Sequence, residues 1–127
     1  MKNKAVLAVT LFSSAIISTS VSAKVTYLSC PYLDNQASDL KIVLDQDNGT
    51  ASLQSASSGP GLNFTAPASF GPEQVTWRKD NKSYKQTFSV DRMKLSFERK
   101  TFSEATGNTY SDRSECTIIK ASKKAKF

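Results

Sequence analysis

The segment YKQTFSVDRMKLSFE, residues 84–98, decides the fold class of this 127-residue chain. Mostly apolar side chains alternate along it with polar ones, and the alternation is interrupted only at Asp91-Arg92. The alternating set is Tyr84, Gln86, Phe88 and Val90, followed by Met93, Leu95 and Phe97. A period of two is typical of half-buried strands, because successive side chains of a strand point to opposite faces. The segment therefore predicts two strands joined by a hairpin or a bulge.

The same pattern recurs in shorter runs on both sides of this segment. Alternating or β-rich runs lie at 25–27, 40–44 and 75–77, and a last strand is predicted at about 115–120. Seven or eight short strands in about 100 residues predict an all-β fold, a small antiparallel meander. We favour a barrel over a sandwich.

Turn signals separate the predicted strands. Asn48-Gly49 is the strongest of them, because this pair suits the two-residue turns of hairpins. Further turns are predicted at 79–82 and 106–108, and Ser55 to Gly61 is interpreted as a longer, flexible loop. Pro67 and Pro72 flank Phe70 and predict that this stretch is an edge or a connection, because proline cannot donate to a sheet.

The first 23 residues have the layout of a secretory signal. Lys2 and Lys4 precede an uncharged run from Ala5 to Ile17, and Val21-Ser22-Ala23 supplies small residues for cleavage after Ala23. The uncharged run is too short to span a membrane, which would take about 20 apolar residues. We therefore predict a cleavable signal peptide at 1–23 and one all-β domain at 24–127, with a basic tail at 120–127. The expected location is periplasmic or secreted, with no membrane span left after cleavage.

The only two cysteines, Cys30 and Cys116, lie near opposite ends of the predicted domain. In an oxidising compartment such a pair is expected to form a structural disulfide, whereas a redox pair would have a C-x-x-C spacing. A bridge between them would close most of the chain and remove about 4.6 kcal/mol of unfolded-state entropy in the simplest chain model. It would also clamp the point at which a barrel has to close.

The composition excludes several functional classes. There is no histidine, so there is no Ser-His-Asp or Cys-His nucleophile system and no imidazole metal ligand. The acidic run Asp45-Gln46-Asp47-Asn48-Gly49 fails as a calcium loop, because glycine is fifth rather than sixth and no glutamate is twelfth. We predict a protein that is not an enzyme and has no metal and no cofactor.

Positive charge is unevenly distributed along the chain, which carries 17 basic and 11 acidic residues. A local basic rim is predicted around the turn at 79–82, and Phe64 and Phe70 are expected to be exposed in a Pro/Gly-bordered stretch. The candidate partner-binding residues are therefore Arg78, Lys79, Lys82, Lys85, Phe64 and Phe70. The basic tail is either a second attraction for an anionic partner or a solvated terminus. Trp77 is interpreted as a core residue.

Several short motifs resemble small secreted proteobacterial proteins to which no function is assigned. They are Cys30 near the start of the domain, the run Phe70-Gly71-Pro72-Glu73-Gln74-Val75-Thr76-Trp77, Val90-Asp91-Arg92, Cys116, and the Lys-rich end at Phe127. The resemblance implies a periplasmic β domain and brings no catalytic residues with it. The size, export signal and disulfide are also similar to periplasmic inhibitors of c-type lysozyme, although their Ser-Gly-rich inhibitory strand is not found here.

The leading hypothesis from the sequence is a non-catalytic exported β domain that binds a macromolecular or cell-envelope partner. That partner is an unknown protein or an anionic envelope component, such as lipopolysaccharide or phospholipid, and not a nucleic acid. One alternative is a carrier whose lipocalin-like barrel holds a small apolar molecule. A second alternative is a periplasmic enzyme inhibitor of the lysozyme-inhibitor kind. We expect a monomer.

Overall fold

A computed structural model of the chain describes residues 24–31, 33 and 37–120. The predicted signal peptide with its cleavage site at Ala23, and the tail beyond Lys120, lie outside the described residues. Nine strands and one short 3-10 helix occur in the described part. They are β1 (Val25–Ser29), β2 (Lys41–Asp45), β3 (Thr50–Gln54), the helix (Pro60–Leu62), β4 (Phe64–Phe70), β5 (Gln74–Asp80), β6 (Tyr84–Asp91), β7 (Ser96–Ser103), β8 (Thr109–Glu115) and β9 (Thr117–Ile119).

The strands form one antiparallel meander that is nearly closed into a barrel. Each strand from β1 to β8 pairs with its neighbour in the chain, and β9 pairs with β1. β8 and β9 are separated only by Cys116, so one strand path serves two partners: β8 pairs with β7 and β9 pairs with β1. The prediction of an all-β antiparallel barrel is confirmed.

A disulfide between Cys30 and Cys116 holds the point of closure, as predicted. The two Cα atoms are 4.2 Å apart. The Cys30 N–H donates to the Leu40 carbonyl at 2.9 Å, and the Cys116 N–H donates to the Leu95 carbonyl at 2.9 Å. Both cysteines are buried, so the bridge belongs to the core as well as to the seam.

Three nearly parallel aromatic rings fill the centre of the barrel. Trp77, Phe88 and Phe97 are all buried, and their ring centroids are 5.6 to 6.1 Å apart. They lie on the inward-facing positions of β5, β6 and β7, where alternation places every second side chain. The interpretation of Trp77 as a core residue is confirmed.

The prediction that Met93, Leu95 and Phe97 share one strand face is wrong for the first two. β7 begins at Ser96; Met93 is 82% exposed and Leu95 has φ +58°. The Asp91 carboxylate accepts the N–H groups of Lys94 and Met93, each at 2.9 Å, and these bonds lower its pKa. This local turn replaces the strand, because an aspartate side chain can satisfy the backbone that a ladder would otherwise pair.

The prediction that the stretch around Pro67 is an edge or a connection is also wrong. β4 pairs with β3 through residues 64–67 and with β5 through residues 68–70. The β4–β5 ladder stops at Ala68, one residue short of Pro67, because proline has no N–H to continue it. The last strand predicted at about 115–120 corresponds to β9 (Thr117–Ile119), and the sequence did not predict β8 (Thr109–Glu115) before it.

Hydrogen bonds to Asp39 and Asn63 hold the loop predicted at Ser55 to Gly61 in place. The Asp39 carboxylate accepts the Ser55 and Ser57 hydroxyls, each at 2.6 Å, and the Ser57 N–H at 3.1 Å. Asn63 accepts the Ser55 N–H at 2.9 Å and donates to the Gly59 carbonyl at 3.0 Å. The loop is therefore braced rather than free. The Ser55 and Ser57 bonds lower the pKa of Asp39 to about 2.

The braced loop predicts a dependence of stability on acid pH. Because the pKa of Asp39 is lower in the folded chain than its ordinary 3.8, ionised Asp39 stabilises the fold above about pH 4. That contribution is lost as the pH falls toward 2. We expect Asp39→Asn to lower the free energy of unfolding at neutral pH, and the deficit to shrink between about pH 4 and pH 2. Urea unfolding at several pH values measures it.

Asp47→Asn, in the exposed turn between β2 and β3, is the matched control. It should leave the stability unchanged over the same range. A deficit of the Asp39 variant that stays constant down to pH 2 would contradict the role given to this carboxylate.

Candidate binding surface

The candidate surface is built from two hairpins at one end of the barrel, which we call the hairpin end and define as residues 78–86 and 99–112. It contains the β5–β6 turn and the β7–β8 turn. Six basic and three acidic residues lie in these two ranges, so the surface carries a net charge of +3. The predicted turns at 79–82 and 106–108 fall within it.

Local hydrogen bonds fix the two turns and join them. The Asn81 side chain accepts the N–H groups of Ser83 and Tyr84, at 3.0 and 2.8 Å. Gly107 has φ +75°, a conformation that glycine adopts without strain. Between the hairpins, the Glu104 N–H donates to the Ser83 carbonyl at 3.1 Å. The two tips therefore form one surface.

The four predicted basic residues do lie together around the first turn, but their surroundings differ. Arg78 pairs with Asp80 at 3.1 Å, and Lys85 pairs with Glu104 at 3.2 Å. The Nζ atom of Lys79 lies 4.9 Å from the centre of the Phe64 ring, within range of a cation–π contact. Lys82 is exposed at the turn and makes no ion pair within the residues described.

The expectation that Phe64 and Phe70 are exposed together is wrong. Both rings are partly buried and pack against the core. They occupy the same face of β4 at its two ends, so the length of the strand separates them. Phe64 lies 5.5 Å from the Phe88 ring, near the hairpin end, whereas Phe70 lines a cavity at the opposite end. Alternation along β4 places its even-numbered residues inside the barrel. The sequence analysis did not predict this alternation, because proline and glycine around the strand indicated an edge or a connection.

Other aromatic residues take the exposed positions. Tyr84, Phe102 and Tyr110 are 44%, 38% and 51% exposed, and all three belong to the hairpin end. Phe102 pairs with Lys85 across the β6–β7 ladder, and Tyr110 pairs with Thr101 across the β7–β8 ladder. The sequence analysis did not predict that these three residues are exposed, although they lie near predicted turns. Tyr84 and Tyr110 are at inward-facing positions of strands that extend past the packed core, whereas Phe102 lies on the outer face of β7.

Beneath the exposed tyrosines, the inner face of the sheet is polar. Arg99 follows Phe88 in the same cross-strand row and pairs with Asp112 at 2.9 Å. Its side chain is only 15% exposed. In the next row, the Gln86 amide donates to the Thr101 hydroxyl at 3.3 Å. Gln86 and Arg99 line a cleft of about 250 Å³, together with Ser57, Ser58, Gly59, Gly61 and Leu62 of the braced loop.

The described residues contain no group of three or more cysteine, aspartate or glutamate side chains placed to hold a metal ion. Both carboxyl groups with a lowered pKa, Asp39 and Asp91, owe it to the turn bonds described above. In the same residues there is no helix long and apolar enough to cross a membrane.

Comparisons with protein-family models, with curated proteins and with solved structures found no match to this chain. The resemblances suggested by the short motifs therefore remain expectations.

The partly buried Arg99–Asp112 ion pair predicts an asymmetry between two aspartates of the hairpin end. We expect Asp112→Asn to lower the free energy of unfolding by about 1–3 kcal/mol, because Arg99 is largely removed from water and loses a charged partner. Asp80→Asn should change it by no more than about 0.5 kcal/mol, because the Arg78–Asp80 pair is exposed. Urea unfolding followed by Trp77 fluorescence compares them. Equal losses in the two variants would contradict the claim that partial burial makes the Arg99–Asp112 pair the more stabilising of the two.

Proposed function

We propose that this chain is a non-catalytic exported β domain that binds an anionic component of the cell envelope through its hairpin end. One observation carries the proposal. Of the five large apolar side chains that are most exposed in the described residues, three belong to the hairpin end, and the same two hairpins carry the cations Arg78, Lys79, Lys82 and Lys85.

The chemistry of these groups supports a phosphate-bearing lipid surface as the partner. Tyrosine has an apolar ring and a polar tip, which suits the boundary between headgroups and acyl chains. Each basic residue near an anionic surface contributes about 1 kcal/mol of attraction. Two of the four cations already have carboxylate partners, so Lys79 and Lys82 supply most of this attraction.

The braced scaffold supports the same proposal. The two hairpin tips are joined by a backbone hydrogen bond and by the Lys85–Glu104 pair, so little ordering is needed when they bind. The disulfide is compatible with an oxidising, extracytoplasmic compartment. These features suit a rigid surface that docks without rearrangement.

The other hypotheses receive less support. Trp77, Phe88 and Phe97 fill the centre of the barrel, where a carrier of the lipocalin kind would hold its ligand. Nothing in the arrangement favours an enzyme inhibitor over other binding proteins. Catalysis would need a cleft with a nucleophile and a base, and the polar cleft at Arg99 has the hydroxyls of Ser57 and Ser58 but no lysine or carboxylate among the described residues that line it.

Vesicle sedimentation tests the proposal. We expect the purified protein to sediment with vesicles that contain phosphatidylglycerol and not with pure phosphatidylcholine, and the bound fraction to fall as salt is raised. Lys82→Glu should weaken binding at least about fivefold, because one lost positive charge already costs about 1 kcal/mol. Tyr84→Ser combined with Tyr110→Ser should weaken it while leaving the salt dependence in place.

Lys94→Glu is the matched control, because it makes the same charge change in an exposed turn at the opposite end of the barrel. It should bind nearly as well as the parent protein. Equal loss in both charge variants would show attraction to net charge only and would contradict a defined surface. No sedimentation at low salt would exclude the lipid partner and favour an acidic protein.

A further inference from the structure

A second candidate site lies at the opposite end of the barrel, beside its seam. Here the short strand β9 pairs with β1 on one side, and none of the described strands pairs with its other side, which faces the β6–β7 turn. A cavity of about 180 Å³ opens into the barrel between that edge and the turn. Tyr84 and Tyr110 of the hairpin end are at the other ends of β6 and β8, so the two sites are separate.

The buried part of the wall of this seam cavity is apolar. It is formed by side chains that point inward from both halves of the barrel, among them Leu28, Leu44, Phe70, Val75 and Val90. For comparison of volume, an enclosed apolar cavity of about 150 Å³ accepts one benzene molecule. The seam cavity therefore has room for about six to eight non-hydrogen atoms of an apolar ring or a short chain.

The lining of the cavity is positively charged. Lys24 and Arg92 belong to it, together with the uncharged polar residues Thr26 and Gln46. No acidic residue is among the described residues that line it, and neither cation makes an ion pair within the part of the chain that the structure describes. The Arg92 guanidinium donates to the Gly71 carbonyl at 2.6 Å, which holds it in place. An anionic group at this point would meet two cations.

A strained residue forms part of the same wall. Leu95 is the one non-glycine residue with positive φ in the described ranges. Its N–H donates to the Asp91 carbonyl at 2.8 Å, and its carbonyl accepts the Cys116 N–H at 2.9 Å. Such conformations persist where the surroundings hold them, and they cluster at ligand sites. The Leu95 side chain lines the cavity, and the bond to the Cys116 N–H links the turn to the disulfide.

We propose that the seam cavity binds a small amphipathic anion, in which a short apolar chain or one ring occupies the cavity and a carboxylate contacts Arg92 and Lys24. The volume of the cavity limits the apolar part of the ligand to a short chain or one ring. The two cations, which have no ion-pair partner among the described residues, favour a ligand with a negative charge. This site differs from a lipocalin-like interior, because the ligand lies beside the seam and not among the central rings.

The predicted export step bears on the same site. Cleavage after Ala23 would make Lys24 the N-terminal residue and would add its α-ammonium group to the two cations. A chain that keeps residues before Lys24 would lack this charge. We therefore expect the processed protein to bind the anion more tightly than the unprocessed chain.

Titration with hexanoate, followed by the amide NMR spectrum, tests the proposal. We expect saturable shifts at the cavity residues with a dissociation constant at or below about 1 mM, and at least about fivefold weaker binding of hexanol. Lys24→Gln and Arg92→Gln should each weaken the binding of hexanoate by about three- to tenfold and leave the binding of hexanol unchanged. Lys82→Glu, at the hairpin end, should change the affinity for neither ligand.

A pair of tryptophan variants on β9 separates the cavity from the rest of the surface. Ile118 is 63% exposed and lines the cavity, so Ile118→Trp should block hexanoate without disturbing the core. Thr117→Trp, on the opposite face of the same strand, should bind normally. The proposal is overturned if hexanoate gives no saturable shift, if Ile118→Trp binds as well as the parent protein, or if hexanol binds as tightly as hexanoate.

Discussion

The disulfide between Cys30 and Cys116 is the constraint on which the rest of this structure depends. A meander of short strands leaves two edges, and here the last strand path is divided between them: β8 pairs with β7, and β9 pairs with β1. β9 contributes only three pairs, too few to close a sheet by themselves. The bridge lies at the point of division and holds both halves in register. The Cys116 N–H bond to Leu95 then fixes the β6–β7 turn beside the seam.

Closure at this point gives the two ends of the barrel different chemistry. The stacked rings of Trp77, Phe88 and Phe97 fill the centre. On one side of them, the seam leaves an apolar cavity with two cations in its lining. On the other side, the long hairpins extend past the core, so inward-facing positions become polar and then exposed, from Arg99 to Tyr110. Both proposed binding sites follow from this arrangement, in which strand length and the position of the seam decide which side chains reach solvent.

The sequence predicted what depends on local pattern. Alternation gave the central strands, Asn48-Gly49 gave a hairpin that the structure contains, and the spacing of the two cysteines gave the clamp. It failed where a local group competed with the pattern, as when the Asp91 carboxylate formed a turn over Met93 and Leu95. It also failed where exposure depends on distant strands. Phe64 is covered by the core and Tyr110 is not, and only the register of the whole sheet decides this. The basic residues lie around the turn between β5 and β6, but the sequence did not predict the carboxylates that pair with Arg78 and Lys85.

The most direct test of this account is amide hydrogen exchange in the oxidised and the reduced protein, under conditions in which the reduced form stays folded. The account predicts that reduction speeds exchange most at the seam, at the Cys116 amide and along the β1–β9 ladder. The amides of β5 and β6, which pair through seven residues at the far side of the barrel, should change much less. Seam amides that are as well protected after reduction as before it would contradict the claim that the disulfide holds the barrel closed.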